Sequence, residues 1–235
     1  MGFFVWQVRD ENTTVGSAKR VNRVDADNED TAALIENAAG GDQQALAELF
    51  TRHRDRLRRM VDLRLNRRLQ GRVDASDVIQ EAYLEICKHF AEYARTPTLP
   101  FFLWLRHITG QKLIMVHRQH LGAKMRDAEL EVSLHRGDFP QASSISLAEQ
   151  LLGRLTSVSQ AAMRAELQIR VQEALNGMDA MDREVLALRH FELLSNGETA
   201  EVLGLSKTAA SNRYVRALGR LRDMLESVPG LLDAL

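Results

Sequence analysis

Cysteine is nearly absent: Cys87 stands alone in 235 residues, which excludes an internal disulfide framework and a cysteine-built zinc cluster. A lone cysteine of this kind reads as a small buried hydrophobe, and a reducing, cytoplasmic setting is the expectation. Proline is also scarce, with four residues, and aromatic side chains make up only 6%. Such poverty in turn formers and rings disfavours the short strands of a sandwich, while the abundance of Leu, Ala, Glu and Arg favours long helices. No run of about 18 apolar residues occurs, so no membrane span is expected. The stretch Met1 to Trp6 lacks the basic flank of a secretory signal. With 45% hydrophobic and 27% charged residues, the chain can bury a core, and wholesale disorder is excluded. At about 100–200 residues per domain, one large domain or two small ones fit.

Net charge is also nearly absent, at −1, and taken alone this speaks against a nucleic-acid partner. The total is a cancellation of blocks. Nine arginines (Arg52, Arg54, Arg56, Arg58, Arg59, Arg64, Arg67, Arg68, Arg72) face only Asp55 and Asp62 between Thr51 and Arg72. From Lys207 to Arg222 there are five cations and no acid. Acids concentrate in the first 50 residues and between Val73 and Tyr93. Blocks of one sign steer polyanionic partners, although a solvated helix face is their commoner use.

Residues 1–28 are polar and aperiodic and read as a poorly ordered extension. A short helix is expected over Thr31–Ala39, stopped by Gly40 and Gly41. Asp42 then caps a longer helix whose apolar stripe is Leu46, Leu49, Phe50, His53, Leu57, Met60 and Val61, ending at Gly71. His53 on that stripe is a core or boundary residue rather than a ligand. Asp74 opens the next helix, with Asp77 in its first turn near the positive end of the dipole. Ile79, Ala82, Tyr83, Ile86, Phe90 and Tyr93 form its inner face. A second stripe, Asp77, Gln80, Glu81, Leu84 and Lys88, is an acidic face holding a leucine, which suits docking to a basic partner. After the break at Thr96–Pro100, a helix carries Phe101, Phe102, Trp104, Leu105, Ile108, Leu113 and Ile114 into a cationic end. Aromatics beside cations can unstack nucleic-acid bases, but most of these rings, Trp104 first, belong in a core. His117 and His120 lack the further ligands of a metal site. Residues 129–158 read as a linker with a short helix near Leu147–Leu155, and a second helical domain follows at 159–235.

The most specific signal is the stretch Ser195 to Ala217. Ser195 and Glu198 form a capping box. Gly204 ends that helix after about two turns, and Ser206 caps another. Small Ala200 and Gly204 permit a close crossing, and Leu203, Leu205 and Ala210 fill its angle. On the second helix, Ala210, Tyr214, Ala217, Leu221 and Leu225 form the buried stripe. Thr208, Ser211, Asn212 and Arg216 point away from it, with Arg213 and Arg220 on the flank. Short polar groups near a helix N-terminus with arginines beside them suit base edges and phosphates in a major groove.

From about Asp42 to Leu225 the chain resembles bacterial sigma factors of the extracytoplasmic-function group of the sigma-70 family. The resemblance is carried by Asp74-Ala-Ser-Asp77-Val-Ile-Gln80-Glu81-Ala-Tyr-Leu84, by Phe102-Leu-Trp104-Leu-Arg106-His-Ile108, and by Met181-Asp-Arg183-Glu184-Val-Leu-Ala-Leu-Arg189 running into the helix-turn-helix. It implies an all-α fold of two helical domains joined by a linker. Residues 29–128 would bind polymerase core and melt the −10 element, and residues 159–235 would recognise the −35 element. By the same resemblance Asp74, Asp77, Gln80, Glu81 and Leu84 would meet RNA polymerase core. Arg106, Lys112, His117, Arg118 and Lys124 would face −10 DNA. Ser206, Lys207, Thr208, Ser211, Asn212, Arg213, Arg216 and Arg220 would serve −35 DNA. An anti-sigma factor is a further candidate partner.

No glycine-rich phosphate loop, nucleophile–base arrangement or metal cluster is legible, so neither enzyme activity nor a cofactor is expected. Two other readings stay open on sequence alone: a helix-turn-helix regulator that is no polymerase subunit, and a helical adaptor that binds protein only.

Overall fold

A computed structural model describes residues 30–69, 71–120, 141–155 and 161–227. The expected N-terminal extension, Lys124 and residues 129–140 and 156–158 of the expected linker lie outside the described residues. Every regular element among those described is helical: α1 (30–39), α2 (Gln43–Arg64), a 3-10 turn at Arg67–Leu69, α3 (Ala75–Arg95), α4 (Phe101–His120), α5 (Ser144–Leu155), α6 (Ala161–Asn176), α7 (Ala180–Leu186), a π-helical turn at Ala187–Phe191, α8 (Asn196–Leu203) and α9 (Lys207–Glu226). The all-α expectation holds.

Each helix start has a local chemical cause. Asp42 accepts hydrogen bonds from the amides of Gln44 and Ala45 at the head of α2. Asp74 and Asp77 form a reciprocal capping box on α3, and Ser195 and Glu198 form another on α8. Gly204 ends α8 at φ +62°, the left-handed conformation that a residue without Cβ adopts at least cost. Helix α2 stops at Arg64, short of the expected Gly71. Continued helix would carry Leu65 and Leu69 off the apolar stripe, whereas the turn that replaces it buries both.

Two cores result. The first joins α1 to α4 through Leu49, Leu57, Met60, Ile79, Ile86, Leu105 and Leu113. Its aromatic edge stacks Tyr93 on Trp104 with centroids 4.4 Å apart, and Tyr93 Oη donates to the Leu99 carbonyl across 3.0 Å, tying down the Pro-containing turn. Phe101, Phe102 and Trp104 are all buried, so these rings hold the fold together. His53 lies on the boundary against Phe101 and Phe102. The second core gathers Leu147, Leu152, Leu167, Val171, Leu175, Leu186, Ala217 and Leu221 from α5, α6, α7 and α9. The short helix read within the linker is thus α5, and its apolar face belongs to this second core. Cys87 corrects an expectation: it is exposed, because one residue beyond buried Ile86 the helix turns its side chain outward.

The halves touch. Leu188 and Leu194 of the C-terminal half join the first core, Val202 and Leu203 pack on it, and Leu63 of α2 enters the second.

Candidate nucleic-acid and protein interfaces

On α3, the inward residues Val78, Ile79, Ala82 and Ile86 turn Asp77, Gln80, Glu81 and Leu84 to the outside. Leu84 is 58% exposed, an apolar side chain held in water among acids. These four form one wall of a cleft of about 440 Å³, with Val116, Gln119 and His120 of α4 opposite and Arg72 also lining it. Asp74, also proposed for this surface, is occupied as the helix cap. Its carboxylate accepts from the Ser76 amide at 2.7 Å, which holds its pKa below the ordinary carboxylate value.

On α9, Ala210, Ala217 and Leu221 are buried and Thr208, Ser211, Asn212 and Arg216 are exposed, as the projection requires. Ser206 Oγ accepts from the Ala209 amide, and Asn196 Nδ2 donates to the Lys207 carbonyl across 2.8 Å, pinning the start of α9 to the start of α8. Arg213 and Arg220 are engaged from behind: their guanidinium groups reach Asp182 of α7 at 2.8 and 2.5 Å. Asp182 is itself buried. Val215, which sequence reasoning passed over, is exposed on the same face as Ser211 and Asn212.

On α4 the expected −10 residues divide. Arg118 is exposed. Lys112 Nζ bonds Glu85 Oε2 at 2.9 Å with only 17% of its side chain accessible. That hydrogen bond brings the Glu85 pKa down to about 2. His117 departs from its expected role as a cation: burial lowers its pKa to about 4, and its Nε2 accepts the Asn66 amide at 3.2 Å. Arg106 departs further, being buried with Nε donating to Glu192 Oε2 at 3.0 Å. Its position on the inner side of α4, one residue from fully buried Leu105, puts it between the two halves instead of on a DNA-facing surface.

Comparison with known proteins assigns the arrangement. The family model described as ECF sigma factor matches residues 28–226. The chain belongs to the ECF sigma factor family. It is 30% identical over 197 residues to the RNA polymerase sigma factor CnrH of Cupriavidus metallidurans, covering 83% of this chain and 93% of that one. It is 29% identical over 191 residues to the ECF RNA polymerase sigma factor SigD of Mycobacterium tuberculosis, covering 81% and 82%. Among solved structures, that of CnrH in complex with the cytosolic domain of CnrY matches at TM-score 0.49 and 24% identity, over 84% of this chain and 98% of that one. This sigma factor serves transcription initiation, with RNA polymerase core and promoter DNA as its partners. No helix among its described residues is long and apolar enough to cross a membrane.

The polar residues that the sequence concealed in this sigma factor sit between its halves and beneath α9. Arg64 of α2 bonds Glu192 Oε1 through Nε at 2.6 Å and Glu184 Oε1 through Nη2 at 2.6 Å. Arg64 and Glu192 side chains are each 1% exposed. Burial works against the charge on Arg64, and the two carboxylates overcome it, raising the guanidinium pKa above its ordinary value. Burial likewise opposes the Glu192 charge, and Arg106 and Arg64 hold its pKa below the ordinary one. Arg56 Nη2 donates to both carboxylate oxygens of Glu198 of α8, each 2.9 Å away, with its guanidinium 3.5 Å above the Phe102 ring. Arg183 closes α6 by donating to the carbonyls of Leu175, Asn176 and Met178. Thus Asp182, Arg183 and Glu184, adjacent in sequence, orient α9, cap α6 and hold α2 respectively. Arg64 carried one readable signal: it continues the apolar stripe three residues beyond Val61.

Proposed function

We propose that this sigma factor meets polymerase core through Asp77, Gln80, Glu81 and Leu84, and reads the −35 element in the major groove with Thr208, Ser211, Asn212 and Arg216. It acts in the cytoplasm as a specificity subunit without chemistry of its own. The observation that carries the reading is the outer face of α9 from Lys207 to Arg222, which holds no acid; Asp223 and Glu226 come only in the last turn. It offers short polar side chains and arginine at the N-terminal half of a helix whose other side is buried. In the −10 half, Arg118 supplies a phosphate contact and Lys112 a partly neutralised one. Division into a half spanning residues 29–128 and a half spanning 159–235 matches these two tasks, with α5 travelling with the second because its core lies there.

Run-off transcription with purified core polymerase tests the reading. Leu84→Arg abolishes core binding while leaving affinity for a −35 duplex intact, since Leu84 supports no core packing. Asn212→Ala does the reverse, retaining core binding and costing about 1–3 kcal/mol of discrimination at one base pair. A Leu84→Arg chain that still binds core and transcribes overturns the docking assignment. A regulator that is no polymerase subunit shows no core-dependent transcript in any form.

A further inference from the structure

Most of the arginine block between Thr51 and Arg72 has no part in either proposed contact, and its members meet different fates. Arg56 and Arg64 are turned onto Glu198, Glu184 and Glu192. On the outer face of α2, exposed Arg52, Arg54 and Arg58 alternate with exposed Glu48, Asp55 and Asp62, and Arg52 bonds Glu48 at 2.6 Å. That face is an ordinary solvated mixture. The end of the block differs. Arg67, Arg68 and Arg72 are all exposed, and no acid occurs from Leu63 to Val73. The turn that carries them is held fast: the Leu69 amide donates to the Asn66 carbonyl at 2.8 Å, the Arg72 and Val73 amides both donate to the Leu69 carbonyl, and the Leu69 side chain is buried. Gly71 makes the reversal at φ +87°. The Asn66 amide donates to His117 Nε2, fastening the turn to the last turn of α4, and Arg72 lines the cleft together with His120. Helix α4 contains no acid either, and Arg118 and His120 at its end are exposed. Segments 51 residues apart in sequence thus build one cationic edge.

We propose that Arg67, Arg68 and Arg72, in the turn between α2 and α3, hold the phosphate backbone of promoter DNA on the −35 side of the −10 element, extending the contact that Arg118 begins. This rests on the promoter-recognition reading above. Three observations favour a phosphate grip over a solvated turn. First, like charges crowded on one edge repel one another, and the edge draws little relief from acids. Arg67 reaches Glu149 of α5 at 3.1 Å, yet 59% of its side chain stays exposed, and an ion pair so exposed contributes little. A polyanion supplies the missing charge, and the planar guanidinium fork suits a phosphate. Second, the adjoining wall of α3 has the opposite sign, with Asp77 and Glu81 exposed on it. A basic partner docked on that wall is repelled by the arginine edge, so the two surfaces call for two partners, and DNA is the polyanion this sigma factor already engages. Third, the turn is ordered by its own hydrogen bonds and by buried Leu65 and Leu69, so little backbone entropy is lost when the arginines bind. The chain leaves α4 at His120 towards the half proposed to read −35, which sets this edge on the −35 side. Contacts of this kind fix position and register and read no base.

The test uses holoenzyme assembled from core polymerase and the full chain, titrated with promoter duplex over a series of salt concentrations. The triple variant Arg67→Ala, Arg68→Ala, Arg72→Ala lowers the slope of log affinity against log salt by about 2–3, since each duplex phosphate contact contributes about 0.9. Its affinity for core and its helical circular dichroism stay at the wild-type values. The same three positions changed to Lys keep the slope, because a phosphate contact needs the charge. Arg52→Ala with Arg58→Ala, on the mixed face of α2, changes the slope by less than half as much. Neutral methylphosphonate linkages placed singly between the two elements locate the contact: those that weaken binding of wild type have no further effect on the triple variant. An unchanged slope in the triple variant overturns the proposal, and so does weakened core binding with an unchanged DNA slope, which assigns the arginines to polymerase. If the triple variant fails to fold, Arg68→Ala alone decides, by a slope loss of about 0.9 or by none. If wild-type holoenzyme binds no promoter, the promoter reading fails, and the free chain on a duplex of random sequence at low salt decides the edge. A lower slope for the triple variant there keeps the phosphate grip, and equal slopes sink it.

Discussion

Arg213 Nη1 lies 2.8 Å from Asp182 Oδ1, and through that bond the buried start of α7 fixes the angle of α9, the helix proposed to read DNA. Asp182 has its second oxygen on Arg220, two turns further along α9. Two arginines spaced along one helix and anchored to one carboxylate prevent both roll and tilt. Their side chains remain partly exposed, at 33% and 60%, so each can still reach an adjacent phosphate.

Asp182→Asn therefore weakens DNA binding although it removes a negative charge from beside a polyanion. Coulomb attraction alone predicts tighter binding, whereas loss of orientation predicts looser. Loss of two charge-assisted bonds at a buried carboxylate costs about 1–3 kcal/mol of stability. Thermal unfolding and a −35 duplex titration at fixed salt check both parts. Tighter DNA binding by Asp182→Asn excludes the positioning role.

Two histidines set an acid limit on stability. Burial, and for His53 also nearby Arg56, lowers the pKa of His53 and His117 from 6.5 to about 4. Both are neutral in the fold at pH 5, while the unfolded chain is mostly protonated there. Stability is complete above pH 6.5 and falls as pH drops towards 4. The slope is up to about 1.4 kcal/mol per pH unit per histidine, lessened by their partial exposure, and their contribution flattens below pH 4. His53 Nε2 is buried without a hydrogen-bond partner among the described residues, so His53→Leu raises the urea midpoint at pH 5 more than at pH 8. An equal change at both values removes His53 from the account.

Leu193 offers a stabilising substitution. Its φ of +59° costs an L-residue about 1–2 kcal/mol, and its side chain is 52% exposed, so packing returns little. Leu193→Gly relieves that strain and loses some of the gain to unfolded-state entropy, for a net of about 0.5–1 kcal/mol and a Tm a few degrees higher. A lower Tm would falsify the claim that the backbone is strained there.

Much of the architecture was legible because its causes are local. Asp42, Asp74, Ser195 and Ser206 announce helix starts by their own capping chemistry, Gly204 announces an end, and the exposed face of α9 follows from 100° per residue. What was not legible depends on partners far away in sequence. Arg64 and Glu192 are 128 residues apart, and nothing near Glu192 distinguishes it from a solvated glutamate. Arg106 lay in a family motif and was assigned to DNA, yet its partner arrives from the other half. Cys87 was misread because its residue type favours burial, while its place on α3, one step past Ile86, decides otherwise.

The half proposed to face −10 DNA carries the last prediction, which separates two cations of one helix. Each phosphate neutralised releases counterions, so removing a real phosphate contact lowers the slope of log affinity against log salt by about 0.7 on single strands and about 0.9 on duplex. Arg118 is exposed, so Arg118→Ala in holoenzyme lowers the slope on −10 DNA by about that amount. Lys112 is mostly enclosed and already bonded to Glu85, so Lys112→Ala changes the slope by less than half as much and costs under about 1 kcal/mol of stability. Glu85→Gln frees the lysine, and it steepens the slope in wild type but not in the Lys112→Ala background. Equal slopes for Arg118→Ala and Lys112→Ala show that Glu85 does not hold Lys112 away from DNA, and that both cations reach the promoter.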